Sequence, residues 1–250
     1  MRQEDFQEQY ELIYGRRPVI EVLRGFRTVF EIYGTDAGLD WFRNDCDVSK
    51  TQIGVPIKKL DKEGIFKLLG RTDHQGLAAK VSKFQFTSNK QIVSLKPRLL
   101  LLADGITDPH NLGAMIRSAY LCNAGGVIIP QRNSADITPV VVHCSAGATE
   151  HIAIVQAESI THTVQMLKEN GYYIIAAEKP EKSTLELSDF VSTEFVALIM
   201  GSEGEGVHKN ILRRCDDIVS ISQSGVIDSF NVSVATGIIL HEFATKMRLL

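Results

Sequence analysis

From residue 98 onward the chain alternates short apolar runs with stretches whose apolar positions recur every three or four residues. The apolar runs fall at 99–103, 127–129, 152–155, 172–176, 195–200 and 218–221. Helical spacing falls at 112–121, 160–169 and 207–214, and a last helix is predicted over 231–247. Strands that read as unbroken apolar runs are buried on both faces, so the pattern predicts a mainly parallel sheet covered on both sides by helices. The first part of the chain reads as a smaller α/β unit, with helices at 18–24 and 62–69 and strands at 29–33 and 77–81. Between Phe84 and Pro97 the pattern lapses into Thr87-Ser88-Asn89-Lys90. The predicted division is therefore an N-terminal domain over 1–87, a linker over 88–97 and a larger domain over 98–250.

Composition adds limits rather than a function. At 250 residues with 44% hydrophobic and 23% charged positions, the chain is an ordinary globular sequence long enough for two domains. The N-terminal residues lack the apolar core of a signal peptide, and no apolar run approaches the length of a membrane span, so a cytoplasmic or organellar-matrix protein is expected. Cys46, Cys122, Cys144 and Cys215 lie far apart with no C-x-x-C pair, which fits reduced thiols better than disulfides or a metal site. A net charge of -3 argues weakly against a nucleic-acid partner. Its distribution reverses that reading, because 58–98 holds ten Lys/Arg against three acids, whereas 99–250 holds ten against seventeen. A lysine-rich solvated face would look the same unless the rest of the chain calls for RNA.

Three loops follow predicted strand ends, where open α/β sheets hold their ligands. In Asp108-Pro109-His110-Asn111-Leu112-Gly113-Ala114-Met115-Ile116-Arg117, proline presets a helix start and Asn111 is a candidate cap. Leu112, Ile116 and Ala119 form the core stripe of that helix. Arg117 stands beside the stripe, so its head can reach a pocket while its stem packs; by itself it reads more readily as a solvent-facing arginine. The second loop, Met200-Gly201-Ser202-Glu203-Gly204-Glu205-Gly206, has neither the dinucleotide spacing nor the P-loop lysine. Its glutamates also disfavour a phosphate cradle. The third runs from Ile221 through Ser222-Gln223-Ser224-Gly225-Val226-Ile227-Asp228 to Ser229-Phe230-Asn231, and its last residues read at least as an N-cap pair.

Taken in order, Asn111-Leu112-Gly113-Ala114 with Arg117, Met200-Gly201-Ser202-Glu203-Gly204 with Gly206, and Ser229-Phe230-Asn231-Val232-Ser233 resemble the three motifs of the SpoU/TrmH methyltransferases of the SPOUT superfamily. Thr138-Pro139-Val140 and Ser145-Ala146-Gly147-Ala148 add to the likeness, which covers 98–250. Tyr14-Gly15-Arg16 and His74-Gln75-Gly76 are more loosely similar to the ribosomal-protein-like RNA-binding domain that precedes the catalytic domain in the 23S-type rRNA guanosine methyltransferases of bacteria and mitochondria. The chain departs from the family pattern at Phe230 and Ser222, where leucine and proline are expected.

The resemblance implies an α/β fold with a deep C-terminal trefoil knot, a homodimer, and S-adenosylmethionine as cofactor. It places the cofactor against Gly201, Ile221 and Phe230, with Met200 and Ile199 beside them, and assigns Arg117, Asn111, Glu203, Ser229 and Asn231 to catalysis. The implied reaction is 2'-O-methylation of a ribose, with a guanosine of large-subunit rRNA as the expected acceptor and no metal or membrane involved. A tRNA acceptor, a non-catalytic RNA-binding or ribosome-assembly factor, and a doubly wound nucleotide-binding enzyme are the competing readings.

Overall fold

The computed structural model describes residues 10–45, 54–224 and 229–250; Cys46 and Gly225-Val226-Ile227-Asp228 lie outside the described residues. By packing, the chain forms two units, one of residues 1–85 with 137–151 and one of 86–136 with 152–250.

In the first unit a four-stranded sheet has the order β1-β4-β2-β3, with β1 Tyr10–Tyr14, β2 Val29–Gly34, β3 Ile57–Lys59 and β4 Leu77–Ser82. The strand β4 runs antiparallel to both β1 and β2, and β3 is a short parallel edge. Helix Arg16–Arg24 buries Val19, Ile20 and Leu23, and Asp61 caps helix Lys62–Leu69 by accepting the Gly64 N–H at 2.7 Å. The segment 137–151 joins this unit through charge as well as packing. Arg27 is fixed by two bonds to Glu150, at 2.7 and 3.1 Å, and by one to Glu11 at 2.8 Å. Removing one partner from such a buried pair typically costs about 3–5 kcal/mol.

In the second unit seven parallel strands run in the order β7-β6-β5-β10-β8-β11-β9. They are β5 Leu99–Ala103, β6 Gly126–Pro130, β7 Ala153–Ala157, β8 Tyr173–Ala177, β9 Leu185–Glu186, β10 Val196–Met200 and β11 Asp217–Ser220. The sequence Leu-Leu-Leu-Leu-Ala of β5 is buried throughout because helices lie on both faces, as the unbroken run requires. After β7 the chain crosses to β8, and β10 later fills the gap beside β5. That order leaves the carboxyl ends of β8, β10 and β11 adjacent, on one side of the point where the strand order reverses and ligands collect.

Residues 88–97, expected as a linker, contain helix Asn89–Leu95. Ser88 and Gln91 form a reciprocal capping box, so the polar run read as a break is a helix start. Ile92 is fully buried in the core of the second unit, and Lys96 at φ 47° ahead of Pro97 ends the helix. The stretch 207–214 contracts to a single turn, Lys209–Leu212. Among the described residues no helix is long and apolar enough to cross a membrane, and no cluster of His, Cys, Asp or Glu is fit to hold a metal.

Candidate functional site

The ends of β8, β10 and β11 open on a cleft of about 350 Å3, within the size range of small-molecule sites. Met200, Val219, Ile221, Phe230 and Ile239 give it an apolar wall, the 201–206 loop a backbone wall, and Glu178, Lys182, Ser229 and Asn231 its polar groups.

Two glycines set the loop. The Gly206 N–H donates to the Ser202 carbonyl at 3.1 Å, closing a turn so tight that a Cβ on Gly201 would collide with the Gly206–Val207 peptide. Gly206 sits at φ 73°, and a Cβ there would strike the Glu178 carboxylate. Glu178 holds the loop exit in turn. Its side chain is only 3% exposed, accepts the Val207 N–H at 2.7 Å and pairs with Lys182 at 3.0 Å. One residue further, His208 Nδ1 donates to Asp104 Oδ2 at 2.8 Å, and the hydrogen bond to this carboxylate raises the histidine's pKa. Neither Glu178 nor Asp104 stands out in the sequence motifs. The signal available was position, since each is the first residue after an apolar strand, at the end where the ligand side lies.

Beside the cleft three chain segments meet through one carboxylate oxygen. Glu203 Oε1 accepts from Asn231 Nδ2 at 2.6 Å and from Asn111 Nδ2 at 3.2 Å, and the same Asn231 amide donates to Asn111 Oδ1 at 3.0 Å. The other face of Asn231 caps helix Val232–Lys246, its Oδ1 accepting the Ser233 N–H at 3.0 Å and the Val234 N–H at 3.4 Å. Asn231 therefore combines a helix cap with a bridge between motifs. Asn111 is not the cap of its own helix. Asp108 takes that place by accepting the His110 N–H at 3.0 Å, which leaves the Asn111 amide for Glu203.

The remaining expected residues divide between cleft, core and surface. Gly201, Met200, Ile221, Ser229 and Phe230 line the cleft, with Phe230 44% exposed. Ile199 does not; on the strand next to Met200 it points to the opposite face and is fully buried in the core. Leu112, Ile116 and Ala119 are buried as the stripe requires. Arg117 is exposed on that helix, outside the cleft lining and with no hydrogen bond or ion pair among the described residues, so Glu203 is not its partner. Ser222, the other departure, bonds to Glu186 at 3.0 Å.

Comparison with known proteins gives these features a context. The profile of the SpoU rRNA Methylase family matches residues 98–241, and that of the RNA 2'-O ribose methyltransferase substrate-binding domain matches 12–87. An uncharacterized tRNA/rRNA methyltransferase of Mycobacterium leprae is 31% identical over 97% of this chain and 79% of its own length. Two solved structures share the fold. An AdoMet-bound rRNA methyltransferase from Sinorhizobium meliloti has a TM-score of 0.80 at 20% identity, covering all of this chain and 92% of that one. The SpoU methyltransferase AviRb from Streptomyces viridochromogenes, in complex with AdoMet, has 0.76 at 20% identity, covering all of this chain and 94% of that one. With a family profile spanning the parallel sheet, the cleft and all three ordered motifs, the chain belongs to the SpoU family of RNA methyltransferases.

Proposed function

We propose that this enzyme transfers the methyl of S-adenosylmethionine to a ribose 2'-oxygen of RNA, with a guanosine in large-subunit rRNA as acceptor. The observation that carries the reading is the convergence of Asn111, Glu203 and Asn231 on one oxygen beside a glycine-walled cleft. A backbone wall at 201–206 and an apolar wall at Ile221 and Phe230 suit a flat base with a sulfonium-bearing chain, and three carboxylates in the lining suit its positive groups. The bound donor supplies a methyl on a sulfonium, ready for in-line displacement.

The protein's own task is to align the acceptor and manage its proton. An arginine stays protonated near neutral pH, so Arg117 acts by stabilising the forming alkoxide and orienting the ribose, with the proton passing to water or phosphate. Ser229 and Asn231 fix the acceptor strand, and Glu203 holds both asparagines in register. Arg117 lies outside the cleft of its own chain, so the reading includes a homodimer in which it serves the second copy. Exposed Tyr120, Leu121, Val234 and Ile238 on helices Pro109–Leu121 and Val232–Lys246 support that association.

Incubation with methyl-labelled cofactor, rRNA and tRNA, followed by mapping of the modified ribose, tests the reading. Label on a guanosine ribose of the large-subunit RNA is expected. Label confined to tRNA moves the acceptor while keeping the chemistry, and RNA binding without transfer supports the assembly-factor alternative.

A further inference from the structure

Two motifs, Tyr14-Gly15-Arg16 and His74-Gln75-Gly76, take no part in the cleft. The fold brings them together in the first unit, at the start of helix Arg16–Arg24 and in the turn before β4. The Arg16 backbone N–H donates to Gln75 Oε1 at 3.0 Å, and Arg16 Nε donates to the Gln75 carbonyl at 3.3 Å. Gln75 itself is held at φ 54°, a conformation few non-glycine residues adopt. The turn is braced from behind. Thr35 N–H donates to the Gly76 carbonyl at 2.9 Å, and helix Asp36–Asp45 comes so close that a Cβ on Gly38 would meet that carbonyl. This helix carries Trp41, the only tryptophan of the chain. The guanidinium carbons of Arg16 and Arg17 lie 5.0 and 5.9 Å from the centre of its indole.

An arginine tied along its Nε edge and laid against an indole is a flat cationic surface, and among the described residues the other N–H donors of Arg16 have no hydrogen-bond partner, which leaves them for a ligand. Unpaired bases of RNA stack on aromatic rings and on guanidinium planes, while arginine N–H groups take the neighbouring phosphate. An acidic peptide would need the charge but not the fixed indole. The geometry points to a nucleotide platform of Trp41 and Arg16, with Arg17 beside the same indole, that accepts one unpaired base of the substrate RNA by stacking and its phosphate by charge-assisted hydrogen bonds from Arg16. This rests on the reading that RNA is the substrate and adds where the first unit grips it.

With a single tryptophan, intrinsic fluorescence reports on the platform directly. The full chain is titrated with an oligoadenylate of about ten nucleotides and with an abasic strand of the same length, and affinity is read separately from the anisotropy of a labelled strand. Saturable quenching by oligoadenylate, with on the order of tenfold weaker binding of the abasic strand, is expected. Arg16→Lys keeps the charge and loses the plane, so it should weaken oligoadenylate binding about fivefold or more without changing the melting temperature. Trp41→Phe keeps a ring in the helix and should retain part of the affinity, which guards against a Trp41→Ala chain that fails to fold. Equal affinity for both strands, or binding with unaltered emission, overturns the platform. If methyl transfer to RNA persists while the tryptophan stays silent, only the platform falls; absence of both RNA binding and transfer removes the functional reading with it.

Discussion

Arg117 and Asn111 lie six positions apart on one helix, yet the fold uses them differently. Asn111 is tied to Glu203 and Asn231, whereas the guanidinium of Arg117 stays exposed. A cation with no partner among the described residues on an ordered helix contributes little to stability, so its substitution separates charge from geometry cleanly. Lysine keeps the charge but loses the planar fork that holds two oxygens at once. Arg117→Lys should therefore lose methyl transfer by about as much as Arg117→Ala, on the order of 10²-fold or more, with cofactor affinity and melting temperature unchanged. Single-turnover transfer at saturating RNA and cofactor checks this, and near-normal turnover by the alanine variant would take Arg117 out of the chemistry.

At the scale of elements, what the sequence revealed follows burial. The strands β5 and β10 and the helix Ile160–Glu169 were legible because their apolar positions are dictated by a core they fill completely. Strand β3, with all three residues exposed, has no such imprint, and β1 was hidden because three of its five positions are only half-buried. Helix Pro139–Cys144 is too short for its period to show, although Thr138 caps it by accepting the Val141 N–H. At the site, the ordered motifs named the residues that meet at Glu203. They missed Glu178 and Asp104, whose role arises only when β8 and β5 place their ends next to the loop. That loop is the element most sensitive to a single methyl group. Gly206→Ala combines a positive φ with a collision against the buried Glu178 carboxylate, so it should cost about 1–3 kcal/mol and weaken cofactor binding more than tenfold. Calorimetric titration of the folded variant measures the second effect, and unaltered affinity would dissociate the loop from the cofactor.

For the whole molecule, charge and apolar surface are unevenly distributed. Part of the basic segment is neutralised locally, with Lys59 paired to Asp36, Lys67 to Glu63 and Arg71 to Asp73, the last holding the Asp73 pKa down at about 2. The apolar excess lies on helix Val232–Lys246, which buries Ile239, Leu240 and Phe243 on one side and still exposes Val234 and Ile238 on the other. A helix apolar on both sides calls for cover on both. If a second copy supplies it, light scattering at micromolar concentration should show a dimer, and Ile238→Asp should shift it to monomer and abolish transfer. Mixing gives the stronger test. An Arg117→Ala chain retains its cleft, and a Gly206→Ala chain retains its arginine. Should Arg117 serve the cleft of the other copy, each mixed dimer regains one intact site, and equal mixing restores about a quarter of wild-type transfer. Should it serve its own cleft, the mixture stays as inactive as its components, and the homodimer would have to be justified by stability alone.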